Sequence, residues 1–253
     1  HGVMATTAKP YRVQLQDGAP LEMFLPHEIF AASVGDNPSL WCLSDVNFGK
    51  ILRDWAVHPD VNFGGDLSKV GMLGFHCDGV SYTSTMRAGG SKSVAIASLN
   101  IVSAGQHRAR RCPLFVLRKA RQCKCGCGGY HTFQTIFQVI AWSCRCLLAG
   151  RAPSTRHDDT PFSPLDTATR LPGGSAIPCG ALLQIRGDWE GMTQFLRLRS
   201  DNSNMFCWLC NTTRQEGEMC YKNFALDAPH RNTIFDHNQY MRSCAEQGAQ
   251  PSN

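Results

Sequence analysis

Two sets of cysteines and one pair of aspartates are the residues of this 253-residue chain that could do chemistry. Cys207-Trp-Leu-Cys210 places two thiols three positions apart, a spacing at which a tight turn offers both sulfurs to one tetrahedral ion. Such a site needs two more ligands, and His230 and His237 are the candidates, with Cys220 as a substitute. The intervening 19 and six residues do not match the Cys₂His₂ finger, with its gaps of about 12 and 3–5. A structural zinc knob is therefore expected, not a helix that reads a DNA groove. Cys123-Lys-Cys125-Gly-Cys127 is the second set, with Cys112 or His131 available as a fourth ligand. Flanking Arg and Lys favour thiolate there, and alternate side chains share a face in an extended segment. Three alternating cysteines seldom all reach one ion, so a metal site and plain thiols both stay open. Cys144 and Cys146 stand about 200° apart on a helix and cannot serve one site.

Asp78 and Asp188 each follow an apolar run and each adjoin glycine. At the end of a strand such a carboxylate sits at a sheet rim, where it is costly unless paired or metal-bound. Two of them on adjacent strands repel, and Mg²⁺ or Mn²⁺ relieves the repulsion while keeping waters that a substrate phosphate can displace. Two such ions would activate the attacking oxygen and stabilise the leaving one in phosphodiester chemistry. The plain alternative is that Asp-Gly is turn chemistry.

The charge is unevenly spread. Of the 25 Lys and Arg residues, twelve fall between Gly79 and His157, a stretch without one Asp or Glu, although the net charge is only +5. Arg108, Arg110, Arg111, Arg118, Lys119, Arg121 and Lys124 form its densest part. A basic block that excludes acid is the footprint of a surface that meets phosphate. No apolar run reaches the ~20 residues of a membrane span. The chain opens on His1 with no apolar leader, and its thirteen cysteines are an odd number. The expectation is a fragment of a longer intracellular protein with reduced thiols; a processed secreted chain would open in the same way.

The elements that must position these groups follow from periodicity. The first sixty residues read as irregular, with short helices at Leu25–Ser33 and Asp45–Trp55. Val70–Cys77, Ser93–Ser103 and Pro113–Leu117 read as strands, the first two joined by a hairpin-type connection at Arg87–Lys92. Phe133, Ile136, Phe137, Ile140, Cys144 and Leu147 recur at three- and four-residue spacing, which predicts an amphipathic helix ending at Gly150. A loop over Arg151–Pro178 leads to a fourth strand, Cys179–Arg186, and then to a helix over Trp189–Arg199.

Three strands, a helix and a fourth strand, with Asp after the first and fourth, resemble the RNase H-like domain of eukaryotic DDE/D cut-and-paste transposases of the CACTA-like and related type. His76-Cys-Asp78-Gly79, the strand that runs into Gly187-Asp188 and a helix over Leu182–Trp189, Cys207-x-x-Cys210, and His230-Arg231 with His237 carry the resemblance, which covers about Val70–Arg242. It implies an α/β fold: a mixed sheet with strands one to three antiparallel and the fourth parallel to the first, flanked by helices, with a small Cys/His zinc insertion. It implies catalytic Asp78 and Asp188 with Mg²⁺ or Mn²⁺, structural zinc, DNA as partner and a nuclear location, and the short apolar runs add no membrane partner. Such transposases need a third carboxylate on a helix after a further strand. Ser243–Asn253 is polar, and Glu246 lies too close behind the Cys/His segment to serve. The expected organisation is a lead-in over 1–66, an incomplete core over 67–200, the zinc insertion over 201–242 and a polar tail over 243–253. The expected function is a transposase-derived, metal-dependent DNA-binding domain, inactive alone. The alternatives are a non-catalytic zinc-stabilised nucleic-acid-binding module or a protein-interaction module.

Overall fold

A computed structural model describes residues 8–35, 46–58, 61, 63–81, 92–102, 110–196, 198, 202–207, 209–236, 238–239 and 242. Their contacts gather into two units, the described residues of His1–Arg121 with Gln134–Arg186, and those of Gln122–Phe133 with Gly187–Asn253.

The first unit is α/β. A hairpin of β1 (Tyr11–Gln14) and β2 (Pro20–Met23) is followed by helices α1 (Pro26–Gly35) and α2 (Val46–Ala56). Then come β3 (Val70–Ser81), β4 (Ser93–Ile101), β5 (Arg110–Arg118), the long helix α3 (Tyr130–Ala149), the short α4 (Pro164–Thr169) and β6 (Cys179–Gly187). The four longer strands form one mixed sheet in the order β5-β4-β3-β6, with β3–β4 and β4–β5 antiparallel and the β3–β6 pair parallel. Among the described residues no further strand joins this sheet, whereas the transposase resemblance implies one more. The connection expected at Arg87–Lys92 falls outside the described residues, although the strands it joins are antiparallel neighbours.

Strand alternation sends Phe75, Leu99 and Cys112 to one face, where they are buried. Helix α3 covers that face: Ile136, Val139, Ile140, Ser143 and Leu147 are buried along one stripe. The Phe137 ring lies 5.8 Å from that of Phe75. α3 stops where Gly150 adopts φ +63 and the N–H groups of Gly150 and Arg151 donate to the carbonyls of Leu147 and Cys146, a Schellman ending. α1 lies on the same face. Its Phe30 sits so close over Gly71 that a Cβ there would come within 2.1 Å of the ring, so only glycine fits. On the opposite face Leu52 of α2 packs with Val70, Met72 and Ala181.

The hairpin was not expected from a region read as irregular. Tyr11 and Val13 alternate inward against Leu21 and Met23, and the Asp17-Gly18 turn between them has Gly18 at φ +78. A buried ion network holds it in place. Arg170, with 4% of its side chain exposed, bonds both Glu28 and Asp166, and Arg156 also bonds Asp166. The Arg156 and Arg170 guanidinium groups lie 4.5 and 4.8 Å from the Tyr11 ring centre.

The second unit has little regular structure: the first turn of α3, helix α5 (Trp189–Leu196) and loops closed by turn hydrogen bonds. Its apolar contacts include Phe133 against Phe195, with ring centres 4.4 Å apart.

Candidate metal centre and sheet face

Cys123, Cys125, Cys127 and His131 bring one ligand atom each to within 4.8 Å of one another. Cys123 Sγ lies 3.2 Å from Cys125 Sγ, and His131 Nδ1 lies 3.7 Å from the first and 3.3 Å from the second. A strand-like segment would not do this, since alternate residues in a strand are spaced ~6.6 Å apart. Glycine makes the difference. Gly126, Gly128 and Gly129 have φ of +89, +59 and +84, the left-handed region where a side chain is strained. The chain therefore curls back on itself between Cys125 and α3. His131 is placed by the first turn of that helix, and the Cys123 N–H donates to Thr132 Oγ1 at 2.9 Å. Burial works to raise the Cys127 thiol, but N–H groups of His131 and Gly129 and the neighbouring thiols outweigh it and bring it down to about 6. By contrast, burial pushes Cys77 well above the ordinary thiol range, Cys144 up to about 12 and Cys146 up to about 11. Cys77 and Cys146 are core thiols.

Cys207 and Cys210 are also together, with sulfurs 3.5 Å apart, and the Leu209 N–H donates to Cys207 Sγ at 3.4 Å. The segment after His230 is tied to this turn: Phe235 N–H donates to the Leu209 carbonyl, and Asn211 N–H to Thr233 Oγ1. His230 Nδ1 is buried without a hydrogen-bond partner. Yet among the described residues, Cys123, Cys125, Cys127 and His131 are the only metal-type group of three or more within reach of one ion, so neither His230 nor Cys220 completes the Cys207–Cys210 set. His237 lies outside the described residues.

Asp78 does not close its strand. β3 continues to Ser81, with Asp78 opposite Ile96 and Gly79 opposite Ala95, so Asp78-Gly79 is ladder and not turn. The β4 partner extends the apolar ladder past the point where the sequence of β3 alone turns polar. Asp78 is half-buried on the face that α3 does not cover. Asp188 is exposed and follows β6, which neighbours β3. Its Oδ1 accepts the Gly191 N–H at 2.6 Å and its carbonyl accepts that of Met192, the arrangement of a helix N-cap.

The basic residues divide. Arg108 lies outside the described residues, and of Arg110 only the backbone is described. Arg111 and Arg118 are exposed on β5. They stand seven residues apart, which strict alternation would put on opposite faces. A β-bulge opposite Ala97 and Ser98 inserts an extra residue at Leu114, beside Pro113. Across the ladder Asn100, Ile96 and Val94 then stand opposite Arg111, Val116 and Arg118, and opposite Gly74, Asp78 and Val80 on the other side. Both arginines therefore share the face of Asp78. Lys119 Nζ reaches within 3.9 Å of where a Cβ at Gly79 would sit. Lys124 is exposed in the second unit. Arg121 is committed elsewhere: it donates to Asp17 and to the carbonyls of Ala19 and Pro20, holding the β1–β2 turn.

Sequence reasoning missed this bulge, although Pro113 was its signal. Comparison with known protein families, with curated proteins and with solved structures finds no match for this chain.

Proposed function

We propose that this chain is a transposase-derived, RNase H-like domain that binds DNA, in the nucleus, and is inactive alone. One observation carries the reading: Asp78 shares its sheet face with Arg111 and Arg118, and its strand neighbours the one that leads to Asp188. A phosphate backbone laid on that face meets cations at β5 and a carboxylate at β3. Asp78 and Asp188 are the oxygen donors for Mg²⁺ or Mn²⁺, the donor type hard cations take. When bound, the ion would polarise a phosphodiester, and a third acid is needed for turnover. Cys207 and Cys210, whose sulfurs stand 3.5 Å apart, are the pair this reading assigns to structural zinc.

The test is duplex binding across a salt series. Log affinity falls linearly with log salt, with a loss of about tenfold or more between ~50 and ~200 mM. Arg111→Gln with Arg118→Gln flattens the slope without changing sequence preference, because phosphate contacts position and do not specify. Arg121→Gln leaves the slope as it was. Binding that ignores salt, or none at low salt, overturns the DNA reading in favour of a protein-interaction module. The N-cap bond of Asp188 favours a second reading, a zinc-stabilised nucleic-acid-binding module without metal-dependent chemistry, because capping alone explains that carboxylate. Mn²⁺ binding that is lost in Asp78→Asn separates the two.

A further inference from the structure

We infer that Cys123, Cys125, Cys127 and His131 are the four ligands of a closed zinc site, separate from the Cys207–Cys210 pair, that fixes the chain's path into α3. The inference does not rest on the nuclease-fold reading.

Three observations carry it. First, the donors already stand at the corners of one coordination sphere. Zn–S bonds of ~2.3 Å in a tetrahedron put sulfurs ~3.8 Å apart, and the four ligand atoms lie within 4.8 Å of one another, with the pairs among Cys123, Cys125 and His131 at 3.2–3.7 Å. Second, burial does not gather them. Cys123, Cys127 and His131 are half-buried and Cys125 is exposed, unlike Cys77 and Cys112, which pack inside the sheet. Three thiols and an imidazole facing one another near solvent make only weak S–H hydrogen bonds among themselves, and an ion bound by all four would hold them far more strongly. Third, the backbone is built for the convergence, through three left-handed glycines and the Thr132 hydroxyl that accepts the Cys123 N–H.

Three thiolates and one imidazole are soft and borderline donors, which select zinc over the oxygen-seeking Mg²⁺ and Ca²⁺. Four protein ligands leave no position for water, so the site is structural and not catalytic. Its ligands span the turn between the end of β5 and the first turn of α3. Binding releases the protons of the thiols that are still protonated and consumes no oxidant.

The experiment uses the full chain, purified under reductant. Zinc content is measured in the parent, in Cys125→Ser and in Cys207→Ser, and thiol alkylation of the parent is mapped by mass spectrometry before and after chelation. Cys125→Ser is expected to remove one equivalent of zinc, whether or not Cys207→Ser removes another. In the parent, the exposed Cys125 should be alkylated at least about tenfold more slowly before chelation than after it, because a metal-bound thiolate is a poor nucleophile. Cobalt in place of zinc should give a tetrahedral spectrum whose thiolate charge-transfer band weakens in Cys125→Ser. Unchanged zinc in Cys125→Ser overturns the inference, as does a Cys123–Cys125 disulfide or alkylation of Cys125 at the same rate with and without chelator. If Cys125→Ser does not fold, alkylation of the parent chain decides.

Discussion

His27 shows how much one buried side chain can govern stability here. It is 1% exposed in α1, with its Nδ1 2.7 Å from Ser143 Oγ, and Trp142 meets its ring edge-on. Burial first, and the nearby Arg170 cation second, hold its pKa down at about 3. The unfolded chain takes up a proton near pH 6.5, whereas the folded chain resists it down to about 3. Stability is therefore full above pH ~6.5 and is lost as pH falls below it, by ~2 kcal/mol between pH 7 and pH 5. Urea denaturation at a series of pH values should show this slope, and His27→Leu should flatten most of it. His157 keeps a weaker slope of the same sign, since burial also lowers its pKa. A parent whose stability is flat between pH 7 and pH 5 would refute this account.

At the scale of elements, a single carboxylate can be a cap, a metal ligand or both. Asp188 starts the eight-residue α5 by bonding the Gly191 N–H. Asp188→Ala should cost ~1 kcal/mol by chemical denaturation, and faster hydrogen exchange should be confined to α5, because an orphan helix donor loses its acceptor. Asp188→Asn should keep that stability, since asparagine caps as well, and on the proposed nuclease-like reading it would lose only affinity for Mn²⁺. Equal losses of stability in both variants would mean that the charge, and not the cap, matters to the fold.

Across the whole molecule, the long sheet and the candidate zinc ligands belong to different compact units. The sheet unit has an apolar core on both sheet faces and an ion network of Arg156, Arg170, Asp166 and Glu28. The other unit is mostly loops, with Phe224 and Leu226 80% and 90% exposed, and such small irregular units lean on metal for their folding energy. Chelation should therefore speed hydrogen exchange at 122–133 and 202–236 while the amides of β3, β4 and β5 stay protected. Equal loosening everywhere would show that metal holds the sheet as well. Among the described residues no helix is long and apolar enough to cross a membrane.

Periodicity by itself determined much of this architecture. The 3.6 repeat located α3, and apolar runs bounded by turn residues located the four sheet strands, to within a few residues, because burial against other elements leaves that record in the local pattern. The β1–β2 hairpin escaped because four-residue strands carry too few alternations to stand out from a turn-rich region. The Cys-x-x-Cys turn was legible for a related reason: ligands three residues apart meet through local geometry alone. The Cys123–His131 cluster was only half legible. Its sulfurs converge through glycine dihedrals that composition does not reveal, and the choice of His131 over Cys112 depended on which of them the fold buries in the sheet. The role of Arg121 was decided by Asp17, more than a hundred residues away. The common face of Arg111 and Arg118 was set by a bulge, since one inserted residue reverses the parity of every side chain beyond it. Local patterns determine elements; which side chains share a face or an ion depends on register and long-range partners, and those exist only once the chain has folded.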